Sequence, residues 1–202
     1  MTSRLHPFHR LTRVTRLSVI VGVVAASAVL SALPAQALEL EDYAPYQPQT
    51  RCSPSAKLGT KMMGRWIVNH YDGGFGPISR ACKGGGTSEH KEGRAFDWTL
   101  DATKAADRAR AAKLMERLFQ ERQDGEAHVL ARRMGIMYII WNDHIYSAYN
   151  QFERRDYLSS SCKTRRTCSK TLRHRDHMHI SITRQAARAE TSFYVPRLPA
   201  DD

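Results

Sequence analysis

Residues 88–97, SEHKEGRAFD, join a polar loop to an apolar segment that we predict to be a strand over residues 94–100. Six residues separate His90 from Asp97, and Gly93 between them lets the chain turn. This arrangement can place an imidazole from the loop and a carboxylate from the strand around one ion. The stretch therefore predicts one strand and half of a candidate metal site.

A second cluster, DHMH at residues 176–179, opens a predicted strand over residues 177–182. Side chains two residues apart on a strand point to the same face, so His177 and His179 are expected to share one. A catalytic zinc takes three protein ligands and keeps its fourth position open. The candidate ligands are then His90, Asp97 and His179, and the candidate proton acceptors beside the metal are Asp176 and His177. The alternative is a set of hydrogen-bonding residues with no metal.

Apolar periodicity and turn residues predict the remaining elements. Helices are expected from Ser53 or Ser55 to about Tyr71, and at 103–121, 126–134 and 184–191. Strands are expected at 76–82, 136–141 and 144–149, the last two joined by a turn at Asn142-Asp143. Residues 150–175 are expected to form a long loop. The helix at 103–121 is expected to bury a face made of Ala105, Ala109, Ala112, Met115 and Phe119.

Four cysteines allow three disulfide pairings. Proximity favours Cys162 with Cys168, which leaves Cys52 with Cys82. The competing interpretation is a zinc site of four thiolates, but the sequence contains no C-x-x-C pair.

The first 37 residues have the pattern of a secretory signal peptide. Residues 1–16 are basic without any acid, residues 17–33 are uncharged, and Ala35-Gln36-Ala37 has the spacing of a cleavage site. The alternative is an uncleaved membrane anchor, and both interpretations put the remainder outside the cytoplasm. After it we expect an extended leader at 38–51 that is not part of the core, a domain at 52–195 and a tail at 196–202.

The chain carries 31 Lys and Arg against 20 Asp and Glu, a formal net charge of +11. This balance suits a polyanionic surrounding such as a bacterial wall. No run of basic residues interleaved with aromatics and no helix-turn-helix or zinc-finger spacing is present, so we expect no nucleic-acid partner.

The stretch at 88–97 matches every fixed position of S-x-H-x-x-G-x-A-x-D. The chain thereby resembles the D-alanyl-D-alanine carboxypeptidase branch of the zinc metallopeptidases, a group that also includes lysostaphin-type and hedgehog-like domains. The DHMH cluster resembles the second half of that signature. The resemblance implies an α+β fold in which a small antiparallel sheet, flanked by helices, carries the zinc.

The resemblance also implies roles for individual residues. The implied zinc ligands are His90, Asp97 and His179; the implied catalytic residues are Asp176 as the carboxylate, His177 by the H-x-H precedent of the lysostaphin-type branch, and Arg80 at the oxyanion. Of the two candidate proton acceptors, we expect Asp176 to be the general base and His177 to be a hydrogen-bond donor to the oxyanion or substrate. The chain departs from the pattern at Met178, where an aromatic residue is usual, and in the cysteines that interrupt the usual loops. Of the other histidines, His144 and His174 could approach the cleft, an alternative that the sequence leaves open, and we expect His70 and His128 to be ordinary surface or half-buried residues.

These observations predict a secreted or wall-associated zinc peptidase that acts on the peptide stems or cross-links of peptidoglycan. The alternative is a zinc-containing wall-binding domain without turnover. The expected partner is a peptidoglycan peptide or another anionic wall polymer. We expect a monomer that contacts a membrane only through an uncleaved signal segment.

Overall fold

Six antiparallel strands form one open sheet in the computed structural model, which describes residues 1–2 and 39–199. The strands are β1 (Gly74–Phe75), β2 (Ala95–Thr99), β3 (Ile136–Trp141), β4 (His144–Ser147), β5 (Arg154–Asp156) and β6 (His177–Ile182), in the order β1-β2-β6-β3-β4-β5. The α-helices of the described residues are α1 (Leu58–Tyr71), α2 (Ala105–Phe119), α3 (Val129–Arg133) and α4 (Arg184–Ala187). The chain is therefore α+β, as expected.

The predicted signal peptide lies outside the described residues, except for its first two. Among the described residues, we find no helix whose length and hydrophobicity would suffice to span a lipid bilayer.

The central strand β6 separates the core from the candidate site. Its Met178, Ile180 and Ile182 are fully buried and belong to the hydrophobic core. The alternate residues point to the other face, because successive side chains of a strand alternate. The register with β2 sets Asp97 opposite His179, so two predicted ligands meet across one strand pair.

The helices differ from the prediction in their bounds and in one face. Helix α1 begins at Leu58, because the backbone amides of Ser53 and Lys57 donate to the carbonyl oxygens of Lys91 and Gly93 and hold this segment extended. Helix α2 buries Ala111, Leu114 and Leu118 instead of the predicted alanine-rich face. Two leucines remove more apolar surface from water than the alanines would, so packing selects this face.

The predicted strand at 76–82 is wrong. The neighbouring pair Gly74–Phe75 forms β1 instead, and the carbonyl of Pro77 accepts a hydrogen bond from the amide of Asp97. The hairpin turn is confirmed: Asn142 and Asp143 have φ of 46° and 67°, the left-handed values of a tight two-residue turn.

The leader was expected to lie outside the core, and the structure differs. Residues 39–50 contain no helix or strand, but Ala44 is buried in the core. The carboxylate of Glu41 accepts hydrogen bonds from the amide and hydroxyl of Ser192, and the side-chain oxygen of Gln47 accepts one from the amide of Arg184. The leader is therefore an ordered part of the domain.

A buried ion-pair network joins the leader to the sheet. Arg94 is 1% exposed, and its Nε donates to Glu92 Oε2 at 2.5 Å. The other carboxylate oxygen of Glu92 accepts from the amide of Thr50 at 3.0 Å and from Arg184 at 3.2 Å. Burial by itself raises the pKa of Glu92, but the hydrogen bonds from Thr50 and Arg94 outweigh it and lower this pKa to about 2.

The variant Glu92→Gln is expected to lower the free energy of unfolding by about 3 kcal/mol, because it leaves the charge of Arg94 buried without its nearest partner. Denaturant unfolding measures this loss. The carboxylate contributes stability while it is charged, so the contribution is lost as the pH falls from the ordinary carboxyl range through about 2. The matched control is Glu190→Gln, which removes an exposed ion pair to Arg188 that water screens, so it should lower the free energy of unfolding far less. Equal losses in both variants would contradict the role of the network.

Both disulfides favoured by the sequence are present. Cys52 pairs with Cys82 at a Cα–Cα distance of 5.8 Å, and Cys162 pairs with Cys168 at 5.3 Å. The competing four-thiolate zinc site is therefore wrong.

When the natively folded protein is denatured and its thiols are titrated, no free thiol should be detected. Replacing Cys52 and Cys82 together by serine should cost about 4 kcal/mol of stability, and replacing Cys162 and Cys168 about 2 kcal/mol, because the longer closed loop loses more chain entropy. Two or more free thiols per chain would contradict the pairing.

Candidate metal centre

Three predicted ligands converge on one point. His90 Nε2 lies 3.0 Å from Asp97 Oδ1, His179 Nδ1 lies 3.0 Å from the same oxygen, and the two ring nitrogens are 3.2 Å apart. In a tetrahedral site with metal–ligand distances of 2.0–2.1 Å, two ligand atoms are about 3.3 Å apart. We call the three side chains of His90, Asp97 and His179 the triangle. The triangle has nearly the size of one face of such a site, and these residues could hold a metal ion.

The outer nitrogens of both rings are anchored. His90 Nδ1 donates to the carbonyl oxygen of Ile78 at 2.9 Å, and His179 Nε2 lies 2.8 Å from the hydroxyl of Ser181. A neutral imidazole has one protonated nitrogen, so the bond to Ile78 leaves His90 Nε2 with a free lone pair. If His179 likewise donates to Ser181, three electron pairs face one another inside the triangle. A cation is the group that satisfies all three at once.

Burial and charge reinforce this arrangement. Burial alone raises the pKa of Asp97, but the imidazole rings of His179 and His90, whose nitrogens lie 3.0 Å from its Oδ1, outweigh it and hold this pKa far below its usual range. Burial lowers the pKa of His179 against the opposing effect of Asp97. An ionised carboxylate and a neutral imidazole are the protonation states that a divalent metal binds.

A single glycine joins two of the ligands. Gly93 has a φ of 66° and ends the 3₁₀-helix Glu89–Glu92, which carries His90. A Cβ at this position would lie 2.1 Å from the carbonyl oxygen of Ser55. Only glycine fits here, and the chain then enters β2, which carries Asp97. The turn predicted from the sequence at Gly93 is therefore confirmed.

The two candidate proton acceptors form a pair beside the triangle. His177 and His179 both lie in β6 and share a face. His177 Nε2 is 3.7 Å from Asp97 Oδ1, whereas its Nδ1 lies 2.7 Å from Asp176 Oδ1. Thr171 donates its hydroxyl hydrogen to the other oxygen of Asp176 at 2.5 Å. His177 thus lies between Asp176 and the triangle.

His174 also reaches this cluster, which the sequence had left open. Its ring centroid is 4.8 Å from that of His177 and 5.7 Å from that of His179. Burial, with the two neighbouring imidazoles, lowers the pKa of His174 to about 3, so this ring is neutral. His144 does not reach it: its Nδ1 donates to the carbonyl oxygen of Asn142, and its Nε2 accepts a hydrogen bond from Arg154 at 2.6 Å.

The structure does not bring Arg80 into the triangle. Its side chain is exposed, and only its backbone amide approaches, donating to the carbonyl oxygen of His90 at 3.1 Å.

Two supporting residues were missed from the sequence. The ring of Tyr138 stacks on that of His179 with centroids 5.6 Å apart, and its hydroxyl donates to Glu89 Oε2 at 2.5 Å. Glu89 is buried and lies 3.9 Å from Arg94. In the sequence Tyr138 belongs to a uniformly apolar strand, so no local signal separates it from the core.

The fold and the site define an α+β domain with a candidate metal centre of two imidazoles and one carboxylate. The family model described as VldE, C-terminal domain, matches residues 52–167, more than half of the chain, and the chain therefore belongs to this family. The match includes His90 and Asp97 and ends before Asp176 and His179. No curated protein and no solved structure matches the chain. The family match does not test the resemblance to zinc metallopeptidases, which stays a prediction.

Proposed function

We propose that this protein is a secreted zinc-dependent peptidase that cleaves the peptide stems or cross-links of peptidoglycan. The observation that carries the proposal is the triangle of His90, Asp97 and His179 with the pair Asp176–His177 beside it. A wall-binding domain would need the triangle alone. The additional acid–base pair therefore favours an enzyme.

Zinc fits the ligand set better than the harder divalent cations. Two imidazole nitrogens and one carboxylate oxygen form a borderline donor set, whereas magnesium and calcium prefer oxygen ligands. When bound with an open position, zinc polarises a carbonyl group and makes water a stronger nucleophile at neutral pH.

The residues around the triangle supply the proton transfers. In this mechanism His177 Nε2, which faces the triangle, accepts a proton from the attacking water and returns it to the leaving amine. Asp176 holds the other ring nitrogen and stabilises the positive charge that His177 gains. The sequence-based assignment of Asp176 as the base stays a prediction, and in this geometry the two side chains act as one unit. The contact of Arg80 with the oxyanion also stays a prediction.

Two features support an extracytoplasmic wall substrate. Disulfides persist in oxidising compartments, and the described domain holds two of them. The excess of basic residues attracts an anionic polymer.

The experiment is digestion of purified peptidoglycan by the zinc-loaded protein, with the released fragments identified by mass. A carboxypeptidase releases single terminal amino acids, whereas an endopeptidase converts cross-linked dimers to monomers. Either product supports the proposal. Tight binding to the wall without any released fragment, from protein with full zinc occupancy, would favour the non-catalytic binding domain.

A further inference from the structure

We propose that a second site, a basic cavity away from the metal centre, binds the phosphate group of a small phosphate monoester or free phosphate. The cavity has a volume of about 280 Å³ and is lined by five cationic side chains and a single acid. The cations are Arg51, Lys57, Arg94, Arg184 and Arg188, and the acid is Glu92. We call it the basic cavity.

The basic cavity lies beyond one end of the β2–β6 strand pair. Arg94 immediately precedes β2 and Arg184 follows the end of β6, whereas the metal ligands Asp97 and His179 face each other inside the pair. None of the three triangle residues lines the cavity. The two sites therefore use different residues, and this inference does not rest on the proposed function.

The charges of the basic cavity do not cancel. Three of its cations have carboxylate partners: Arg94 pairs with Glu89 and Glu92, Arg184 with Glu92, and Arg188 with Glu190. Lys57 Nζ donates only to the hydroxyls of Ser53 and Ser55, at 3.0 and 3.4 Å. Among the described residues, neither Lys57 nor Arg51 has a carboxylate within ion-pair distance. Two positive charges thus remain, which matches the charge of a phosphate monoester at neutral pH.

The start of α1 adds to this field. Lys57 occupies the N-cap of this 14-residue helix, no side chain caps it, and its first turn contains no acid. A helix N-terminus carries a partial positive charge, which a lysine at the cap leaves uncompensated. An anion in the basic cavity offsets both the partial charge of the helix N-terminus and the charge of Lys57.

The distribution of donors favours phosphate over carboxylate. The cations come from four separate parts of the chain: the end of the leader, the start of α1, the residue before β2 and the α4 region. Donors that approach from several directions suit the three free oxygens of a tetrahedral phosphate better than the two oxygens of a planar carboxylate. The Cys52–Cys82 disulfide, next to Arg51 and Ser53, holds this part of the leader in place.

The test is calorimetric titration of the full-length mature protein with inorganic phosphate, glycerol 3-phosphate and acetate. We expect one saturable phosphate site per chain and acetate binding at least about tenfold weaker. Because a hydrogen bond to a charged group is worth about a factor of ten or more, Lys57→Gln and Arg51→Gln should each weaken phosphate binding about tenfold. Binding of glycerol 3-phosphate at least as tight as that of phosphate would identify an esterified ligand, and much weaker binding would identify free phosphate.

Two controls separate this site from the metal centre and from general charge. Lys113→Gln removes an exposed cation of α2 and should leave phosphate affinity unchanged. His179→Ala disrupts the triangle and should also leave phosphate affinity unchanged. This variant therefore distinguishes phosphate bound at a metal ion from phosphate in the basic cavity. The proposal is overturned if no saturable phosphate binding occurs, if folded Lys57→Gln and Arg51→Gln both bind like the wild type, or if acetate binds as tightly as phosphate.

Discussion

Replacing His179 by alanine is expected to remove bound zinc and, with it, hydrolysis of wall peptides. The variant leaves two of three ligands and opens one corner of a triangle whose edges are 3.0 to 3.2 Å. Loss of a residue that only orients a ligand typically costs ~10–100-fold in metal affinity, so loss of the ligand itself should exceed this range. Zinc affinity by competition with a chromophoric chelator, together with metal content after dialysis, measures the effect.

Two further variants should affect zinc affinity less than His179→Ala does. Ser181→Ala removes only the hydroxyl that lies 2.8 Å from His179 Nε2, so zinc affinity should fall within the ~10–100-fold range. His144→Ala changes a histidine of β4 that is hydrogen-bonded to Arg154, away from the triangle, and zinc affinity should stay at the wild-type value. Full zinc occupancy in folded His179→Ala would show that the ligand assignment is wrong.

The second large effect is expected at the pair beside the triangle. Asp176→Asn and His177→Ala should each lower the hydrolysis rate by ~10²–10⁴ while zinc stays bound, since each removes part of the proton-transfer unit and none of the ligands. Because the two side chains are joined by a hydrogen bond of 2.7 Å, the double variant should be little slower than the slower single variant.

The pattern of rates assigns the base. Near-normal turnover in Asp176→Asn with an inactive His177→Ala would transfer the base role to His177 alone and contradict the paired mechanism. The reverse pattern would give the role to Asp176, as the sequence predicted. Normal turnover in both zinc-loaded variants would contradict the peptidase mechanism.

The convergence of His90, Asp97 and His179 could be predicted from the sequence because its geometry is mostly local. Gly93 separates a loop histidine from a strand aspartate by one turn, and the period of two along β6 aligns His177 with His179. The pairing of β2 with β6 was the single long-range feature required.

The features that could not be predicted depend on partners distant in the sequence. An arginine between Gly93 and Ala95 carries no local signal of burial, yet Arg94 is buried. Its guanidinium donates to the backbone oxygens of Gln47 and Ile182. The leader likewise lacks a periodic apolar pattern, although Ala44 lies in the core and hydrogen bonds to Glu41 and Gln47 hold the segment against the domain. No local signal reports such contacts.

The choice of face on α2 shows the same limit. The helix has apolar side chains on two overlapping faces, and periodicity alone favoured the one with more alanines. Contacts of α2 with α1 and α3 select the face of Leu114 and Leu118 instead.

The most direct test of the central claim is a comparison of wild type and His179→Ala on purified peptidoglycan, with zinc content and released fragments measured on the same samples. The proposed mechanism predicts about one zinc per wild-type chain and peptide fragments that appear in proportion to bound zinc. It also predicts neither zinc nor fragments for the folded variant. Equal fragment release by wild type and zinc-free His179→Ala would contradict the assignment of this triangle as the catalytic centre.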